Sequence, residues 1–183
     1  MALSVLTALN ERFGDAIAES GTYVGDEMAI VQRDRLLEVL GWLRDDPSMA
    51  FDMLTDLTVV DYLGQTPRFE VVYQLYSLTK KHRVRIKVHV DEAPEQCWAP
   101  SATALWRAAN WAEREAWDLY GVRFEGHPDL RRILMYDEFV GHPLRKDYPQ
   151  NARQPLLRRP DATPTDDQTT RLLESSHDRR TSG

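Results

Sequence analysis

An α+β domain built on a small, mostly antiparallel sheet with packing helices, followed by a long extended C-terminal arm, is the fold class this sequence predicts. Three observations carry it. Two alternating apolar sets, Phe69-Val71-Tyr73-Leu75 and Val84-Ile86-Val88-Val90, flank Thr79-Lys80-Lys81-His82, so a hairpin is the economical connection. Helical spacing recurs on both sides of that hairpin, at Leu36-Leu37-Val39-Leu40-Leu43 and at Leu105-Ala108-Ala109-Ala112-Ala116-Leu119. Beyond Gly121 neither period persists. Helices and strands with mostly local connections point to α+β.

The elements follow in order. Leu3, Leu6, Leu9 and Phe13 fall at helical spacing, and the N-terminus lacks a basic start, so a short amphipathic helix is expected there in preference to a signal peptide. Thr22–Val24 and Met28–Val31 are read as short strands around a Gly-Asp turn. Arg33–Leu43 forms a helix that ends before Asp45-Asp46-Pro47. Phe51–Tyr62, with Thr58, Val59 and Val60 late in the run, is a strand. In the hairpin, Arg83, Arg85, Lys87 and His89 stand opposite the apolar set as a solvated polar face. Asp91–Pro100 is a connector punctuated by prolines. Ser101 is placed to cap the next helix, and Gly121 to stop it. The domain boundaries expected are 1–120 for the α+β domain, 121–160 for an extended partner-wrapping arm, and 161–183 for a disordered tail rich in Pro, Asp, Thr, Ser and Arg.

Composition narrows the function. The chain has 183 residues, 42% hydrophobic and 28% charged, enough for one core with some tail. No run approaches the roughly 20 apolar residues that span a bilayer. A single cysteine, Cys97, excludes an internal disulfide, and no Cys-rich run could hold an iron–sulfur cluster. No Gly-rich phosphate loop is present. The reading is cytoplasmic. A net charge of −6 argues against nucleic acid as a partner. Residues 121–160 nevertheless carry eight Arg/Lys against five Asp/Glu, a net of +3 that leaves −9 on the remainder. A basic arm on an acidic body suits a partner with an acidic surface, or pairing with the body's own carboxylates.

Glu113, Glu115 and Asp118 sit in the last turns of a helix, where the backbone dipole disfavours negative charge. They lie on three faces and cannot converge as a catalytic dyad, but each can clamp a basic group, with Arg123, Arg131 and Arg132 following. Arg114, four residues before Asp118, can pair with it along one face. His127 and His142, with Asp137 and Glu138 between them, invite a metal reading. A structural zinc wants four ligands at close spacing, and here two histidines are each pinned between Gly and Pro. A ring proton donated to a backbone carbonyl, fixing an elbow, is the better reading of both. Arg145-Lys146 is a weak phosphate signal beside Asp147. Trp98, Trp106, Trp111 and Trp117 surround one helix, so it is either sandwiched between the sheet and another body or displays surface anchors.

The pattern Glu113-Arg114-Glu115, Asp118-Leu119-Tyr120, His127, Arg131, Ile133-Leu134 and Gly141-His142-Pro143-Leu144-Arg145-Lys146-Asp147-Tyr148-Pro149 resembles the C-type (30 kDa) subunit family of the proton-pumping NADH:quinone oxidoreductase, respiratory complex I. The resemblance implies a protein that is not itself a catalyst, supporting electron transfer from NADH to quinone coupled to proton translocation. It implies no cofactor on this chain, with FMN, iron–sulfur clusters, NADH and quinone handled by other subunits. The partners implied are the large D-type subunit of complex I, which forms much of the quinone pocket, and neighbouring iron–sulfur subunits of the peripheral arm. The location implied is peripheral, on the cytoplasmic side of the cell inner membrane, with the membrane reached only through the complex. Catalytic and metal residues are not expected, and the interface residues expected are Glu113, Arg114, Glu115, Asp118, His127, Arg131, Arg132, His142, Arg145 and Lys146. Related chains in membrane-bound hydrogenases and ferredoxin-dependent complexes supply an alternative, and an unrelated acidic adaptor is another.

Overall fold

The computed structural model describes residues 4–155. The chain divides into two compact units, residues 1–152 and 153–183, and every described element lies in the first. The tail expected at 161–183 lies outside the described residues, as does Leu3 of the expected N-terminal stripe.

Helix α1 (Val5–Phe13) buries Val5, Ala8, Leu9 and Phe13, one stripe at helical spacing. Strands β1 (Ile17–Tyr23) and β2 (Asp26–Val31) follow, the first longer than its sequence signal because its face is largely exposed and polar. Helix α2 (Leu36–Asp45) buries Leu36, Val39, Leu40 and Leu43. Strands β3 (Met53–Asp61), β4 (Phe69–Ser77) and β5 (His82–Val90) complete a five-stranded sheet in the order β1-β2-β5-β4-β3. All its pairs are antiparallel except β2 with β5. That parallel contact joins two antiparallel halves and has no local sequence signal, since α2 and two strands intervene.

The hairpin register pairs Phe69 with Val90, Val71 with Val88, Tyr73 with Ile86 and Leu75 with Val84. Both apolar sets therefore share one face, and that face forms a single core with α1, α2 and the helix that follows. Complete burial of each Leu, Ile or Phe in such a layer contributes about 1.5–3 kcal/mol. The opposite face is not simply solvated. Arg83 remains exposed, but Lys87 (2.9 Å) and His89 (3.4 Å) both address the buried carboxyl of Glu70 on the neighbouring strand.

The connector ends in β6 (Trp98–Pro100), which pairs in parallel with β7 (Arg123–Glu125) to form a separate two-stranded sheet. Between them runs α3 (Ala109–Tyr120), which starts eight residues later than Ser101. Residues 101–108 form single turns instead, held by Trp106 N–H to the Ala102 carbonyl and Ala109 N–H to the Trp106 carbonyl. Ser101 does not cap the helix, because its hydroxyl is donated to a side chain of that helix. The stop is where it was expected: Gly121 is left-handed, with φ 80°, and its N–H closes on the Trp117 carbonyl at 2.8 Å. Residues 126–152 contain neither helix nor strand, yet they belong to the same compact unit as the domain.

Candidate functional site

The charged positions of α3 define the site, and two of them are fully buried. Glu113 faces the sheet side, where its carboxyl accepts the Ser101 hydroxyl (2.6 Å) and the Ala102 N–H (2.6 Å). No cation pairs with it among the described residues, so it is not the clamp on a basic group that the sequence suggested. Burial pushes its pKa up to about 7, against the lowering effect of those two donors.

Asp118 has the opposite environment. Its Oδ2 accepts three consecutive amides of the arm, Ile133 (3.1 Å), Leu134 (2.8 Å) and Met135 (2.8 Å), and its Oδ1 takes the Arg132 guanidinium at 2.6 Å. Burial alone would raise this carboxyl. The amides and the guanidinium outweigh it and hold the pKa below the usual range. The expected pair of Asp118 with Arg114 does not form, because four donors from the arm already fill the carboxylate. Arg114 reaches the arm's backbone instead, donating to the carbonyls of Arg131 (3.2 Å) and Arg132 (3.0 Å).

The last carbonyls of any helix lack intrahelical partners, and cations are favoured beside them. Here the arm supplies the partners. His142 Nδ1 donates to the Asp118 carbonyl (2.9 Å), Leu144 N–H to the Leu119 carbonyl (3.1 Å), and Arg145 Nε to the Tyr120 carbonyl (2.5 Å). A Cβ on Gly121 would stand 2.6 Å from the His142 ring and 2.7 Å from Arg145, so glycine is required both by φ and by this close approach. His127 Nε2 likewise donates to the Asn110 carbonyl (3.1 Å), while its Nδ1 accepts the Asp129 amide. Both histidines thus fix elbows. Among the described residues no three His, Cys, Asp or Glu side chains converge as a metal site.

A second anchor had no motif to announce it. Arg68, 2% exposed, binds Asp61 of β3 through two parallel contacts (2.8 and 2.9 Å), Asp147 of the arm (2.7 Å) and Glu92 of the connector. The Lys146 amide donates to Asp61 as well, at 2.8 Å. One signal was available: Asp61 continues the alternation of Leu57 and Val59, which places a carboxylate on the core face. Glu115, Arg131 and Lys146 are exposed, and Arg131 pairs with its neighbour Asp129 (2.9 Å). Arg114, His127, Arg132, His142 and Arg145 are half-buried between domain and arm. The tryptophans also divide. Trp106 is buried, Trp98 lies under Arg33, Trp117 lies near Arg132, and Trp111 is 71% exposed. The second body against α3 is the chain's own arm. The arrangement immobilises the arm against the end of α3.

None of the described helices is long and apolar enough to cross a membrane. Residues 29–154 match the family described as respiratory-chain NADH dehydrogenase, 30 Kd subunit. The chain is 50% identical over 152 residues to the C 2 subunit of the NADH-quinone oxidoreductase of Rhizobium etli, covering 80% of each chain. It is 52% identical over 141 residues to the C-type subunit of the NADH-quinone oxidoreductase of Citrifermentans bemidjiense, covering 77% of this chain and 85% of that one. The solved trypsin-resistant fragment (1-134) of Nqo5 superimposes with a TM-score of 0.60 at 33% identity, covering 70% of this chain and all of the fragment. A chain of the membrane-bound sulfane sulfur reductase, an archaeal respiratory membrane complex, shares the fold at TM-score 0.68 and 18% identity, over 87% of this chain and 96% of that one. The arm-anchoring residues fall within the matched span, and this chain belongs to the 30 Kd subunit family of the respiratory-chain NADH dehydrogenase.

Proposed function

We propose that this chain is a cofactor-free structural component of the NADH:quinone oxidoreductase, packing on the large D-type subunit that forms the quinone site and bordering the iron–sulfur subunits. In this role it sits peripherally on the cytoplasmic side of the cell inner membrane and supports electron transfer from NADH to quinone without carrying electrons itself. The observation that supports this reading is how α3 and the arm use their groups. Asp118, Arg132, His142 and Asp147 are consumed in holding the arm to the domain. Trp111, Leu134 and Leu144 are left exposed on that same helix and arm. Large apolar side chains displayed on a segment fixed by so much buried charge suit a permanent protein neighbour.

Purification from a mild-detergent membrane extract through a tag on this chain tests it. Flavin- and cluster-containing subunits and the large quinone-site protein should come down with it, while the chain purified alone should show neither flavin nor iron–sulfur absorbance. Recovery of a lone monomer from membranes, or a stoichiometric cofactor on the isolated chain, would contradict the reading.

A further inference from the structure

Between the C-terminus of α3, the connector and the arm lies an open recess of about 320 Å³, lined among others by Cys97, Trp117, Arg123, His142, Arg145 and Glu92. Its two arginines are its chemistry. Arg123 donates one Nη to the Pro94 carbonyl (3.0 Å), and Arg145 donates its Nε to the Tyr120 carbonyl (2.5 Å) with its guanidinium 5.1 Å from the Phe69 ring. Neither pairs with a carboxylate among the described residues, in contrast to Arg35, Arg44, Arg68, Arg131 and Arg132. A guanidinium carries five N–H donors, so most of the donors on both remain open.

The surrounding charges do not cancel them. Glu92 on the wall is already bound by Arg68. His142 donates its Nδ1 proton to the Asp118 carbonyl. Burial outweighs that bond and, with the nearby arginines, keeps the imidazole pKa below its ordinary value, so the ring is a neutral wall. Cys97 sits among these charges: burial raises its thiol pKa, Arg145, Arg123 and Arg68 pull it down, and Glu92 pushes it up.

Size and sign select the ligand. The volume is at the bottom of the range of about 300–1,000 Å³ used by small-molecule sites, too small for a flavin or a dinucleotide. The Glu92 wall disfavours a dianionic phosphate, whereas a single carboxylate fits the planar fork of a guanidinium. We propose that this recess seats an Asp or Glu side chain of the protein that docks on the arm, held between Arg123 and Arg145. The inference rests on the assembly reading above, because the recess is walled by the same helix and arm.

Arg123 is the residue to change, since Arg145 also caps α3. Arg123→Lys keeps the charge and places a primary amine that a carbodiimide can join to a carboxylate in contact with it, which arginine cannot do. In the tagged, membrane-extracted complex, position 123 should form a zero-length link to an Asp or Glu of another subunit. Arg123→Glu should lower recovery of the complex by about tenfold or more, as expected for opposing a paired interface charge, while the thermal midpoint of the isolated chain stays at the wild-type value. Normal assembly of Arg123→Glu, or a link from position 123 only to this chain's own Glu92, would overturn the assignment. If the wild-type chain recovers no partner, the assembly reading falls and takes the recess with it. If the complex forms and position 123 stays unlinked, the recess assignment alone falls.

Discussion

Glu113 and Asp118 show how one helix turns the same chemical group to two ends. Both are fully buried, but only Asp118 lies in the last turn of α3, where the helix dipole opposes a negative charge; with the helix starting at Ala109, Glu113 falls in its first half. Asp118 collects three amides and a guanidinium and stays ionised below the usual range; Glu113 collects one hydroxyl and one amide and is pushed up to about 7. A carboxyl whose folded pKa is raised stabilises the fold at low pH, and that contribution is lost as pH climbs from its unfolded value, about 4.3, to its folded one. Glu113→Gln keeps an acceptor for the Ala102 amide and a donor for the Ser101 oxygen without a titrating group. The glutamine variant should match wild type below about pH 4 and exceed it by up to about 4 kcal/mol above pH 7, the equivalent of the shift at about 1.4 kcal/mol per unit. Thermal midpoints of both proteins across that range check it, and a gap that does not change with pH would contradict the assigned environment.

At the scale of elements, the end of α3 decides where the arm lies. Gly121, His142, Leu144 and Arg145 form one joint, in which the arm supplies what the last helical turn lacks. Gly121→Ala adds a Cβ within 2.7 Å of both side chains and strains a left-handed residue, so the joint should open while the sheet remains folded. Limited trypsin digestion reads this directly: Arg145 and Lys146 should resist cleavage in the wild-type chain and be cut early in the variant. The hairpin, α1 and α2 were legible because their apolar period is local and strong. The parallel contact of β2 with β5 was not, since pairing across α2 and two strands leaves no local trace. The start of α3 was misjudged for a related reason. Ser101 and Pro100 make a good helix start locally, but Glu113, twelve residues on, draws the Ser101 hydroxyl and Ala102 amide into the core and folds 101–108 into turns. The signature in the sequence falls on α3 and on the arm that closes over its end, while the division of its residues between domain and surface, and the Asp61–Arg68–Asp147 anchor, depend on contacts between segments far apart in the chain.

For the whole molecule, the separation of a basic arm from an acidic body is answered only in part by pairing among the described residues. Arg132 binds Asp118, and Arg68 of the body binds Asp147 of the arm. On the function proposed above, these charges shape a docking surface and take no part in redox or proton chemistry. Asp118 puts that to the hardest test, because its buried carboxylate is the shared acceptor of three amides and a guanidinium that lose their partner if it is removed. Loss of one side of such a buried pair costs about 3–5 kcal/mol. The deciding measurement is NADH:quinone turnover per assembled complex in membranes carrying Asp118→Ala. A purely structural carboxylate predicts less complex, with each remaining complex turning over at the wild-type rate; a full complement of assembled complex with turnover abolished would contradict it.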